Sequence, residues 1–269
     1  MAFLTRFFSR LRVSKRVRFV FSSLLLGLVF LLTQQLPFPQ RYWGVGGLTL
    51  LTVALHFFSL YEGLNFKVER LLTPVLPVFF SLGVSLFYFL LPSSWSYRLL
   101  IFVLFSFGMY VVFLTENIFT VASLRTIALA RAAQAVGFLL TLLSLFFLYD
   151  AVFSFRLSFW QNAILAALLT FPLTLHSLWA VNLEEKLSRE DLLFALIFSL
   201  VVGEFALIIS FFPVEILTGS LFLTTVSYVL LGLGSAQRAD RLFKKTVQEY
   251  LLVGGLMFLG LLLTTSWRG

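Results

Sequence analysis

Apolar residues fall into nine long runs separated by short stretches that carry most of the charge. The runs are about Val17–Leu36, Gly44–Tyr61, Leu71–Leu91, Leu99–Leu114, Ala132–Tyr149, Phe159–Val181, Asp191–Pro213, Val214–Leu233 and Tyr250–Thr265. Each is long enough for a helix that crosses the hydrocarbon of a bilayer. No alternating strand pattern interrupts them, so the chain predicts an all-α polytopic transmembrane bundle of about nine spans. Pro74 and Pro77 should kink the first turns of the third span, because proline removes backbone donors. Pro213 should force an immediate turn between the seventh and eighth. The segment from Glu116 to Arg131 mixes Ile118, Val121, Leu124, Ala128 and Leu129 with polar residues. It reads as a helix that starts at the inner surface and continues into the fifth span. Ala128, Ala132, Ala133 and Gly137 then form a small-residue seam along one side.

The amino terminus adds a second pattern. Arg6, Arg10, Arg12, Lys15, Arg16 and Arg18 occur without an acid, while Phe3, Leu4, Phe7, Phe8 and Leu11 recur at helical spacing. Residues 1–18 therefore read as a basic amphipathic cytoplasmic segment lying on an anionic leaflet, or as a plain retention signal that needs no helix. Residues 19–269 read as a single transmembrane helical domain. With the amino terminus inside, sixteen Lys and Arg fall on inner segments and four on outer ones. That bias predicts a cytoplasmic amino terminus, an external carboxyl terminus and insertion in the plasma (inner) membrane. A second basic group, Arg238, Arg241, Lys244 and Lys245, precedes the last span. Together with the tail it offers a surface for anionic lipid or for a membrane protein partner.

Composition supports the membrane reading and narrows the chemistry. The chain has 269 residues, 60% of them hydrophobic, with 34 Phe and 12% charged residues. A water-soluble domain has no place to hide that much apolar surface. The net charge of +8 follows from topology and calls for no nucleic acid. Cysteine is absent, which excludes disulfides and thiolate chemistry. Two histidines, His56 and His176, on different helices do not make a zinc site, and no metal or cofactor is expected. The His-Glu-x-x-His and Gly-x-Ser-x-Gly patterns and a phosphate-cradling glycine loop after a strand are all missing. The acid pairs Glu184–Glu185 and Glu190–Asp191 flank Lys186 and Arg189 and read as a solvated mixed-charge loop.

Few polar groups remain inside the spans. Glu204 lies about 18 Å along its helix from Leu192, and it is the one carboxylate the run boundaries place well inside a span. Intramembrane acids ordinarily face a bundle interior, so Glu204 is a candidate site, or else a neutral hydrogen-bonding residue between helices. His56, about 18 Å into the second span from outside, and Gln134 would complete a shared polar site with it. The expectation is a non-catalytic membrane component, with a subunit, assembly or lipid-organising role. The alternatives are a secondary transporter for a small or lipid-like substrate using Glu204, and a membrane-embedded lipid-modifying enzyme.

Overall fold

The computed structural model describes residues 14–60, 64, 67–91, 94–124 and 127–265. Among them there are ten α-helices and no strand: α1 Lys15–Thr33, α2 Gln40–Leu60, α3 Lys67–Leu72, α4 Val75–Tyr88, α5 Trp95–Ala122, α6 Ala130–Ser154, α7 Phe159–Asn182, α8 Arg189–Ile209, α9 Ile216–Arg238 and α10 Lys244–Thr264. Helices α3 and α4 make one span interrupted at Thr73–Pro74, where the missing proline N–H breaks the ladder as expected. With that pair counted once, nine helices among the described residues are long and apolar enough to span a membrane. Short connections alternate their direction.

The helices overrun the apolar runs at several ends. A helix satisfies its own backbone whatever its side chains, so it continues into polar sequence until a cap or proline stops it. The clearest case corrects the reading of residues 116–131. Glu116–Ala122 is the last part of α5, which is about 42 Å long. The chain then breaks, and α6 starts afresh at Ala130. Phe113, Glu116, Phe119 and Thr120 continue one buried face of α5, and this face holds the segment on the preceding helix.

Polarity is distributed inside out. Hydroxyls such as Ser22, Thr52, Ser59, Ser144, Thr170 and Ser227 are buried, whereas Leu50, Leu139, Leu168, Leu256 and Leu263 are exposed. The buried hydroxyls join helices or bond their own backbone. Ser22 Oγ lies 2.9 Å from Ser59 Oγ between α1 and α2, and the Tyr149 hydroxyl lies 2.6 Å from Thr170 Oγ1 and 2.9 Å from Ser227 Oγ. Such a distribution is the one expected of helices long and apolar enough to span a membrane, where small and polar side chains take the contacts between helices.

The most extensive pairing is α7 with α8. Here Ala163 and Ala167 meet Gly203. A Cβ at Gly203 would stand 3.0 Å from the Ala163 carbonyl oxygen and 3.1 Å from Ala167 Cβ. Gly203→Leu is therefore expected to destabilise the bundle by about 1–3 kcal/mol, measured as a lowered thermal midpoint in detergent. At the other extreme, α10 packs chiefly against α9 and exposes Leu252, Leu256, Leu259 and Leu263.

The described basic residues gather at one end. Lys15, Arg16, Arg18, Lys67, Arg70, Arg131, Lys186, Arg189, Arg238, Arg241, Lys244 and Lys245 lie there, against Arg41, Arg98 and Arg156 at the other. Arg6, Arg10 and Arg12 lie outside the described residues.

Candidate functional site

The polar interior is concentrated just beneath this basic end. On α5, Glu116 lies six residues before Ala122, and on α7, His176 lies six residues before Asn182. Each is therefore about 9 Å inside the end of its helix, at matching depth. Their side chains meet, with His176 Nε2 2.9 Å from Glu116 Oε1 at 1% and 0% exposure. Phe119 and Trp179 flank the imidazole, each with its ring centroid 6.1 Å away. This acid–imidazole pair is the feature that the sequence reading missed. The signal lay in the equal spacing of the two residues from their helix ends. It is obscured in the sequence because the fourth apolar run stops at Leu114, so Glu116 reads as the start of a separate inner-surface segment.

Gln134, on the first turns of α6, reaches across to the end of α7. Its Nε2 donates to the Ala180 and Val181 carbonyls at 3.0 and 2.8 Å. Those carbonyls belong to the last turn of α7, where no backbone donor follows, so the amide serves as a cap supplied by another helix. Trp179 Nε1 donates to the Glu184 carbonyl at 3.0 Å and fixes the turn that follows.

His56 belongs to a separate cluster. It lies one turn from the end of α2, where its Nε2 is 3.0 Å from Thr73 Oγ1. Thr73 donates its own hydroxyl to the Glu69 carbonyl at 2.7 Å, so it accepts from His56, and the imidazole proton sits on Nε2. The Ser123 hydroxyl donates to Glu69 Oε1 and closes the link from α3 to α5. The break at Thr73–Pro74 thus brings a threonine against a histidine of α2, seventeen residues earlier.

Glu204 takes neither position. It is exposed on the outer face of α8, five residues from Ile209 and near the end opposite to the basic one. It lies about 22 Å along α8 from the basic end, whereas His56 lies about 6 Å from that end of α2, so the two are at different levels of the bundle. Glu204 is also not the lone carboxylate within a helix of the bundle. Glu69, Glu116, Asp150 and Asp191 are buried where Glu204 is not. Glu204→Gln is expected to leave the folded yield and thermal midpoint unchanged within about 0.5 kcal/mol, the usual range for an exposed position.

Three of the four acids read as a solvated loop converge on one guanidinium. Arg238 Nε meets Asp191 Oδ1 at 2.8 Å, Nη1 meets Glu190 Oε2 at 2.7 Å, and Nη2 meets Glu184 Oε1 at 2.9 Å. Helix ends explain the arrangement. Glu190 and Asp191 occupy the first turn of α8, where Ser188 caps the Glu190 N–H, and Arg238 occupies the last turn of α9. Acids suit the positive end of a helix and cations the negative end. Antiparallel neighbours bring those ends side by side. Arg238 is thereby withdrawn from the basic surface assigned to it, and Arg18, also buried, is not part of that surface either. Arg16, Arg241, Lys244 and Lys245 remain exposed.

Between α6, α7, α9 and α10 lies a cavity of about 490 Å³ that begins at the basic end. Gln134, Gly137, Phe138 and Thr141 of α6 form one wall, and Thr246 and Tyr250 of α10 the other. Gly232, Ser235 and Ala236 of α9 and His176, Ser177 and Ala180 of α7 line the remaining sides, with the exposed Arg241 and Phe243 at the mouth. The cavity joins Gln134 to His176, and through it to Glu116. It includes neither His56 nor Glu204.

Comparison with known families matches residues 59–264 to a family described as "Protein of unknown function (DUF5656)". The chain belongs to that family. The matched region contains the Glu116–His176 pair, the Arg238 clamp and every residue of the cavity, whereas His56 and α1 precede it. No curated protein and no solved structure matches the chain.

Proposed function

We propose that this family member is a non-catalytic, lipid-organising component of the plasma membrane that holds an amphiphile in the cavity beneath its basic end. The observation that carries the reading is the shape and lining of that cavity. It has the volume of a small-molecule site, polar groups of Gln134, Thr141, His176 and Ser177 in its lining, and a gap between α6 and α10, which are not packed closely against each other. An amphiphile can enter there sideways without leaving the membrane. The inside-out distribution of polarity supports insertion, with the nine helices crossing the bilayer. The positive-inside bias supports an orientation with the basic end and the amino terminus at the cytoplasm and the carboxyl terminus outside. Lys244, Lys245 and the amino-terminal basic residues then face the anionic leaflet.

The test is lipid retention. The wild-type protein, purified in mild detergent and analysed by native mass spectrometry, is expected to keep about one lipid per chain. Thr246→Trp, which fills the cavity from α10, is expected to lose it while keeping the same thermal midpoint. A wild type that retains no lipid would remove the proposal.

A second reading, as a carrier, draws on the Glu116–His176 pair rather than on Glu204. A buried acid and imidazole beside a cavity can exchange a proton with a bound substrate. Proteoliposomes that take up no labelled amphiphile under an imposed proton gradient would exclude it.

A further inference from the structure

We infer that the cavity takes the headgroup of an anionic lipid carrying both a phosphate and a free hydroxyl, with the phosphate on Arg241 and the hydroxyl on His176 and Thr141. This inference rests on the amphiphile-binding reading above and adds the chemical class.

The outer half of the argument concerns Arg241. Helix α9 ends in a left-handed turn at Asp240, whose φ is 54°. The Asp240 N–H donates to the Gln237 carbonyl at 3.1 Å, and the Arg241 N–H to the Ala236 carbonyl at 2.8 Å. This paired closure ends the helix and sets the direction of the next side chain. Arg241 is therefore held at the cavity mouth by backbone geometry. Arg238, three residues earlier, is saturated by three carboxylates, whereas Arg241 has no ion-pair partner among the described residues. No acid lines the cavity. A guanidinium with open donors at a membrane-level mouth matches a phosphate oxyanion.

The inner half concerns two buried atoms. Thr141 Oγ1 and His176 Nδ1 belong to side chains that line the cavity, are at most 1% exposed, and have no hydrogen-bond partner among the described residues. In the tautomer whose Nε2 proton faces Glu116 Oε1, 2.9 Å away, His176 presents a lone pair at Nδ1. Thr141 supplies a hydroxyl that donates or accepts. A ligand hydroxyl answers both, donating to the imidazole and accepting from the threonine. Neither a quaternary ammonium nor a second anion does so. Between mouth and interior the wall is Phe138, Gly232 and Tyr250, and a Cβ at Gly232 would collide with the Tyr250 ring at 2.2 Å. That glycine lets the ring lie back against α9, which keeps the passage open.

The experiment uses the full chain in nanodiscs of phosphatidylcholine doped equally with phosphatidylglycerol (phosphate and hydroxyls), phosphatidic acid (phosphate without a headgroup alcohol) or diacylglycerol (hydroxyl without phosphate). Retained lipid is counted by native mass spectrometry. Phosphatidylglycerol is expected to be retained about tenfold over phosphatidylcholine, the scale of one charge-assisted contact. Arg241→Gln should abolish the preference for both anionic phospholipids over phosphatidylcholine, whose phosphate is compensated by its own quaternary ammonium. Thr141→Val, which removes only an unpartnered hydroxyl, should lower phosphatidylglycerol to the level of phosphatidic acid and leave phosphatidic acid unchanged. Selectivity that survives Arg241→Gln would overturn the inference, as would a Thr141→Val variant that weakens both phosphate lipids equally. Displacement of phosphatidylglycerol by equimolar soluble glycerol phosphate would overturn the lipid assignment in favour of a free phosphate ester. Lipid that is retained without headgroup preference, yet lost in Thr246→Trp, would overturn this inference alone. Retention in neither wild type nor variant would remove the amphiphile reading itself.

Discussion

His176→Leu alone is expected to cost about 3 kcal/mol of stability, and the double variant Glu116→Leu/His176→Leu is expected to recover most of it. The single change leaves Glu116, at 0% exposure, without the polar partner that His176 supplies. A buried acid stripped of its one neighbouring polar partner loses its compensation but not its desolvation, which is why the loss is large. Replacing both partners removes the demand altogether, and two leucines suit a cluster already built from Leu72, Phe119, Ala133 and Trp179. The figure is set at the low end of the known range because helices separated within a bilayer still find other partners. Unfolding in graded denaturing detergent, followed by tryptophan fluorescence, gives the three values. A single variant that costs less than about 1 kcal/mol, or a double variant no better than the single, would show that the two groups are not coupled.

The clamp at Arg238 is the second place where one side chain has a large effect. Its guanidinium is 10% exposed and uses three nitrogens on three carboxylates from two chain segments. Arg238→Ala leaves Asp191, 2% exposed, beside two further acids with no cation, and is expected to cost about 3 kcal/mol. Arg238→Lys should recover less than half of that. A single ammonium cannot reproduce a planar fork that addresses Asp191, Glu190 and Glu184 in different directions. Glu190→Ala, at a carboxylate 69% exposed, should cost less than about 1 kcal/mol, and added salt should erase the effect. Thermal midpoints of the three variants at low and high salt separate these expectations. Equal effects for Arg238→Ala and Glu190→Ala would mean that Asp191 is not the member that matters.

The comparison of Asp191 with Glu204 shows where a linear reading stops. Both acids lie on α8, thirteen positions apart. By sequence, Asp191 sits at a helix mouth among charges and reads as solvated, while Glu204 sits deep in an apolar run and reads as enclosed. The fold reverses them, burying Asp191 under Arg238 and exposing Glu204 on the outer face. His56 and Gln134 are both engaged inside the bundle, as their types suggested, but with Thr73 and with the end of α7 rather than with each other. Glu116 and His176 were each visible, yet nothing in the linear order brings α5 against α7.

The sequence by itself determined the spans, because run length and proline placement act locally and an isolated helix in hydrocarbon must satisfy its own backbone. It also determined the gathering of cations at one end, since that follows from the alternation of short loops. Only the tertiary structure decided which side of each helix faces inward. In water, an apolar stripe names the buried face. In a bilayer, lipid and interior are both apolar, so leucine is equally at home in either. The inward face is set instead by small-residue clearance, as at Gly203, and by polar partners on distant helices, as at Glu116 and His176.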